Sequence, residues 1–161
     1  MNIYNVKDDY IKFLRNYDSQ VSENKHESRP YIGVVLEICG IKYYAPFTSP
    51  KAKHKTMKNG KDFRKIANGT LGAINFNNMT PVPDDALILK DIDNESDEQY
   101  KRLLQNQYKE IKNDWAQIEK TATNLRNLVV TDDSKLSNYE KQIKARCCKL
   151  SLLESVYQNW R

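Results

Sequence analysis

The sequence predicts an α+β protein, with an antiparallel sheet built mainly by the first half of the chain and helices packed on it by the second. Two observations carry this. YIGVVLEI, Tyr31 to Ile38, and KYYAPF, Lys42 to Phe47, flank Cys39-Gly40 as a β-hairpin rich in β-branched and aromatic residues. Later the period changes. Leu104, Tyr108, Ile111, Trp115, Ile118, Ala122, Leu125 and Val129 recur at alternating spacings of four and three, which makes one apolar face of helix.

In chain order, Met1 to Val6 alternates as a short strand, and Lys7 to Tyr17 places Tyr10, Phe13, Leu14 and Tyr17 at helical spacing, with Asp8 or Asp9 as the cap. Gln20 to Arg29 is polar and irregular and stops at Pro30, the pattern of a surface loop. Pro46 has no N–H to give, so the second hairpin strand is expected to be an edge or to end there. Leu71 to Phe76 and Met79 to Val82 read as strands around an Asn77-Asn78 corner, with a last short strand at Leu87 to Lys90. As one helix, Asp97 to Val130 would be about 50 Å long, so a break is expected between Asn113 and Thr123. Thr131 to Asn138 reads as a polar loop. Ser151 to Glu154 fits a capping box before a terminal helix faced by Leu152, Leu153, Val156, Tyr157 and Trp160. The long apolar stripe reads as intramolecular core, with a coiled-coil partner as the alternative.

A chain of 161 residues suits one domain, taken as residues 1–161. It contains neither an export signal pattern nor an apolar run long enough for a membrane span. Cys39, Cys147 and Cys148 are odd in number and lack metal-ligand spacing, so reduced thiols in a cytoplasm are expected.

The net charge of +5 is uneven. Residues 1–80 carry +6 and residues 81–161 carry −1, and Lys51 to Lys65 alone holds seven Lys or Arg against Asp62. Such a segment attracts a polyanion, in a salt-dependent way, or is simply a solvated loop.

There is no Walker loop, dinucleotide fingerprint, zincin motif or serine elbow. With only His26 and His54, a histidine metal cage is impossible. Dense lysines around His54 disfavour its charged form, so it is a candidate proton acceptor, whereas His26 reads as exposed. Thr48 and Ser49 stand where a predicted strand stops, with Lys51 just past Pro50. Hydroxyls, backbone amides and a lysine at one sheet end suit a phosphate. The plainer alternative is a hydroxyl-capped turn.

The segments YIGVVLEICGIKYYAPFTSPKAKH at 31–54, LGAINFNNMTPVP at 71–83, YKRLLQNQYKEI at 100–111, TATNLRNLVV at 121–130 and CCKLSLLESVYQNW at 147–160 resemble the ToxN/AbiQ family. These are endoribonuclease toxins of type III toxin–antitoxin systems. The strand pair followed by TSPK is the most specific part. The resemblance implies a fold like the Kid and MazF interferases, a twisted antiparallel sheet of barrel type with helices packed around it.

It also implies a metal-independent reaction without a cofactor, in which the RNA 2′-hydroxyl is the nucleophile and the ends left are a 2′,3′-cyclic phosphate and a 5′-hydroxyl. The family's essential serine falls on Ser49, its threonine on Thr48 and its lysine on Lys51, all expected at the scissile phosphate. Arg29 stands where a related toxin has lysine, and arginine suits charge stabilisation better than proton transfer. His54 is matched as well. Lys53, Lys55, Lys58, Lys61, Arg64 and Lys65 are expected to line an RNA groove, with Tyr31, Phe47 and Phe63 as stacking platforms. The implied partners are messenger RNA and an inhibiting antitoxin RNA pseudoknot, cut by the toxin from a precursor and assembled with it into a closed protein–RNA oligomer. A non-catalytic module for structured RNA is the competing expectation.

Overall fold

A computed structural model describes residues 1–161. Seven strands form the sheet: β1 (Asn2–Val6), β2 (Tyr31–Ile38), β3 (Ile41–Thr48), β4 (Phe63–Lys65), β5 (Ala73–Asn75), β6 (Thr80–Pro81) and β7 (Leu87–Leu89). Every pairing is antiparallel, in the order β4-β5-β3-β2-β1-β7, with β6 beside β3. The path is open, ending on β4 and β7, so the sheet does not close into a barrel.

Pro46 neither ends β3 nor lies on an edge strand. Phe47 N donates to Pro30 O at 3.1 Å, and side-to-side alternation therefore turns the Pro46 nitrogen away from β2. On that other side β6 pairs with Tyr43 and Tyr44, while β5 pairs with Phe47 and Thr48. Pro46 sits in the gap between them, where no donor is required.

Six helices accompany the sheet: α1 (Asp8–Arg15), α2 (Ala52–Thr56), α3 (Glu98–Asn113), α4 (Trp115–Val129), α5 (Asn138–Arg146) and α6 (Leu150–Val156). Neither Asp8 nor Asp9 caps α1. The Asp8 N–H donates to Glu27 Oε1 at 3.0 Å, and the Asp8 carboxylate accepts from Asn24 and from the Glu27 N–H, which pins the 18–29 loop to the helix. Asp97 caps α3 by accepting from Gln99 N and Tyr100 N. The expected break falls at Asp114, between α3 and α4.

Helix α5 begins after the expected loop, and its capping box is Ser137 with Glu140. Ser151 and Glu154 lie inside α6, whose first turn instead meets Asp18, where Lys149 N donates to Oδ2 at 2.6 Å. Glu154 takes a bidentate bond from Arg126 and one from the Tyr43 hydroxyl, joining α6 to α4 and β3. Leu152 is exposed rather than packed.

One hydrophobic core runs between sheet and helices, from Ile3 and Tyr10 through Ile32, Tyr43 and Phe76 to Leu104, Ile118, Leu125 and Leu153. No helix is long and apolar enough to cross a membrane.

Candidate active site

The end of β3 gathers most of the side chains singled out in the sequence. β3 stops at Thr48, leaving Ser49, Pro50 and Lys51 as an exposed turn before α2. Pairing of Tyr31 with Pro46 and of Pro30 with Phe47 puts Arg29 next in line, opposite Thr48. Arg29 is half-buried and anchored by Nε donating to Glu23 O at 2.8 Å. Thr48 Oγ1 is buried without a hydrogen-bond partner. Such an unspent hydroxyl costs about 1–3 kcal/mol and calls for a local reason.

Two neighbours fix this turn from behind. Gln107 of α3, only 1% exposed, donates through Nε2 to Leu71 O at 2.7 Å and to Thr48 O at 3.3 Å. Gly72, at φ +108°, packs on the Thr48 carbonyl, and Gly69, at φ +91°, packs on the carbonyl of His54. A β-carbon at either position would overlap backbone, so the 66–72 segment can cradle 48–54 only with glycine there.

His54 is 3% exposed and belongs to α2. Its N–H donates to Lys51 O at 2.9 Å, and its Nδ1 accepts from Lys51 N at 3.1 Å. Burial lowers its pKa below the ordinary histidine value, and the charges of Lys51 and Lys53 lower it further. The neutral ring therefore carries its proton on Nε2 and has no free lone pair. In this arrangement it braces Lys51 rather than standing ready to take a proton.

The basic segment divides in two. Lys51, Lys53, Lys55 and Lys58 are exposed and lie outside every ion pair of the fold. Arg64 is clamped on Asp114 through both Nε and Nη2, and Lys61 reaches Glu140 at 2.9 Å. Lys65 is half-buried. The aromatic expectations change more. Tyr31 and Phe47 are 1% and 0% exposed, so their rings belong to the core and offer no face to a base. Burial also raises the Tyr31 phenol far above its usual pKa, opposed by the charge of Arg29. Phe63 is half-buried beside His54, with ring centroids 5.9 Å apart.

Gln107 carries no motif, but its position carried a signal. It shares the α3 face of Leu104 and Ile111, three residues after one and four before the other, where an apolar residue is the norm. Tyr108, read as part of the stripe, is only half-buried.

A profile of the family described as toxin ToxN, type III toxin–antitoxin system, matches residues 2–158. The chain is 34% identical to Endoribonuclease ToxN of Pectobacterium atrosepticum over 99% of its own length and 94% of that protein. To Endoribonuclease ToxN of Bacillus thuringiensis subsp. kurstaki it is 31% identical, over 98% of this chain and 83% of the other. Among solved structures, one from work on bacterial type III systems, concerning selective toxin inhibition by a non-coding RNA pseudoknot, superposes with a TM-score of 0.87. Its identity is 29%, over 99% of this chain and 96% of that one. Fold and near-full-length similarity agree, and the chain belongs to the ToxN family of type III toxin–antitoxin toxins.

Proposed function

We propose that the protein is an endoribonuclease toxin that cuts RNA at the Thr48–Lys51 turn and is restrained by a structured RNA. The observation that carries this is the gathering of Arg29, Thr48, Ser49 and Lys51 at one strand end, on backbone held by Gln107 and Gly72. The RNA supplies its own nucleophile. The 2′-oxygen attacks the adjacent phosphorus and its proton passes to solvent. The new P–O2′ bond forms as the P–O5′ bond breaks, and the 5′-oxygen takes up a proton. The products are a 2′,3′-cyclic phosphate and a 5′-hydroxyl.

In this scheme the exposed Ser49 hydroxyl donates to a non-bridging oxygen, the Thr48 hydroxyl joins it once RNA binding uncovers its buried oxygen, and Lys51 and Arg29 offset the negative charge gathered in the transition state. Two protein cations meet that charge, so the reaction is proposed to proceed without a metal. His54 is a positioning residue for Lys51, since its Nδ1 lone pair is in use. Lys53, Lys55 and Lys58 form the free basic approach, with Lys65 nearby, and Lys61 and Arg64 join it only by leaving their carboxylate partners.

The substrate is proposed to be messenger RNA together with the precursor of the inhibitor. By analogy with the solved relative concerned with toxin inhibition by an RNA pseudoknot, the inhibitor is a pseudoknot, and the closed protein–RNA assembly is proposed from the family resemblance alone. The whole chain acts as one catalytic domain, in the cytoplasm.

The test is incubation of purified protein with mixed RNA in EDTA, beside Ser49→Ala, with end-group analysis of the fragments. Ser49 is exposed, so its loss should alter stability by no more than about 0.5 kcal/mol. Cyclic-phosphate ends that vanish in the variant are expected. RNA that is bound but never cut, or cleavage that survives in Ser49→Ala, would overturn the scheme.

A further inference from the structure

Of the four side chains gathered at the strand end, Arg29 alone comes from outside the 48–51 turn. Its aim therefore depends on the loop that precedes it. The Arg29 N–H donates to Asn24 O at 3.4 Å, its Nε donates to Glu23 O at 2.8 Å, and its carbonyl accepts from Asn5 Nδ2 at 3.3 Å. Nη1 and Nη2 make no hydrogen bond or ion pair within the fold. A guanidinium held at Nε still offers the fork of its two terminal nitrogens, a face that can grip two phosphate oxygens.

The carbonyls of Glu23 and Asn24 flank a single α-carbon, that of Asn24. Where that atom sits, Arg29 follows. Asn24 is only 5% exposed, and its Nδ2 donates to Val6 O at 2.6 Å and to Asp8 Oδ1 at 2.7 Å. Both acceptors stand where β1 runs into α1, so the loop is referenced to the sheet itself. The same Asp8 oxygen accepts from Glu27 N at 3.1 Å. Between these two bonds the chain turns through Lys25, His26 and Glu27 at φ of 50°, 55° and 61°. Successive left-handed residues that carry side chains are costly, and such strain persists where surrounding contacts over-determine it, commonly at functional sites. Here it brings Arg29 back to the carbonyl of a residue five positions earlier. Asn24 Oδ1 is also buried without a partner, a second cost that calls for a reason beyond stability.

We infer that Asn24 is a positioning residue for the reaction, aiming the Arg29 fork at the phosphate on the Thr48–Lys51 turn, with Asp8 as its anchor. Freed from this clamp, the guanidinium would still lie near the turn on its long stem, spread over many rotamers. RNA would be bound much as before, and the transition state would lose one of its two cations.

This inference rests on the ribonuclease reading, and the experiment separates the two. kcat and KM for cleavage of one RNA are measured for the parent, Asn24→Ala, Arg29→Ala and the double variant, with melting temperatures alongside. Asn24→Ala should lower kcat by about 10- to 100-fold and leave KM within about twofold. Because Asn24 acts through Arg29, the double variant should be no slower than Arg29→Ala alone. Asp8→Ala, at a half-buried position, enters the same cycle with Arg29→Ala and should behave alike, which keeps the test open if Asn24→Ala does not fold. Losses that multiply in the double variants, or a lowered melting temperature with kcat unchanged, would overturn the positioning role while leaving the ribonuclease in place. Undiminished cleavage by Arg29→Ala would overturn it too, by removing the group that Asn24 aims. A parent that cuts no RNA would remove the ribonuclease reading and the positioning role with it.

Discussion

Gly72 lies against the carbonyl of Thr48 so closely that a β-carbon at position 72 would overlap that oxygen, and its φ of +108° is one that other residues rarely adopt. Gly72→Ala should therefore push the turn out of place. Cleavage is expected to fall by about 10- to 100-fold, together with a lowered melting temperature. Gly40 supplies the comparison, since it has φ +77° with open space around it. Gly40→Ala should cost about 1 kcal/mol and leave cleavage unchanged. Thermal unfolding and cleavage rates of both variants check this.

Gln107 ties α3 to the carbonyls of Leu71 and Thr48 at the turn. Gln107→Leu keeps the bulk but removes the donor. A loss of about 1–3 kcal/mol in urea unfolding is expected, with kcat reduced more than the affinity for RNA. Equal effects on kcat and KM, or none on either, would remove Gln107 from the positioning role.

His54 titrates below the ordinary histidine value because burial, then Lys51 and Lys53, disfavour its charge. Above the unfolded-state value, about 6.5, both states hold the ring neutral and its contribution to stability is complete. As pH falls from there towards the depressed folded value, the unfolded chain binds the proton first, and stability declines. His54→Gln has no such proton and should flatten the curve between pH 7 and 5. Melting temperatures across that range, in parent and variant, measure the difference.

The lysines beyond the turn should act through charge rather than structure, since Lys53, Lys55 and Lys58 are exposed. Replacing all three with alanine should leave the melting temperature nearly unchanged. It should also reduce the slope of log affinity against log salt by about 2–3 for single-stranded RNA. Arg64→Ala should behave in the opposite way, releasing Asp114 and lowering stability. Binding titrations at several salt concentrations distinguish the two behaviours.

Features set by periodicity were legible in the sequence. The hairpin follows from two β-branched runs around Cys39-Gly40, and the helix break from the length of the stripe, with Asp114 as its position. Where a local signal recurred, sequence alone chose wrongly. Ser-x-x-Glu occurs at both Ser137 and Ser151, and only the first is a cap, because the second lies where Asp18 of a distant loop already meets the backbone. The short helix α2 hides among lysines, whose solvated side chains show no apolar face.

At the site, Thr48, Ser49, Lys51 and Arg29 could be named from spacing and resemblance, because chain neighbours and strand register bring them together. Burial could not be read in that way. Tyr31 and Phe47 look like base platforms in a list of residues, yet both faces of β2 and β3 are covered where they stand, and neither ring reaches the surface. Gly72 and Gln107 matter through contacts made across 24 and 59 positions of chain, which no local pattern announces.

The β4 end of the open sheet bears on how this protein limits contact with its own copies. An unpaired strand invites another copy to add on, and self-association of that kind ends in aggregation. β4 offers only three residues, Phe63, Arg64 and Lys65, two of them cationic, with more lysines in the stretch before it. A second copy would bring like charge against like charge. The charge proposed to draw RNA to this side of the molecule thus also opposes a second copy at the β4 edge, and one set of side chains would serve both attraction and repulsion.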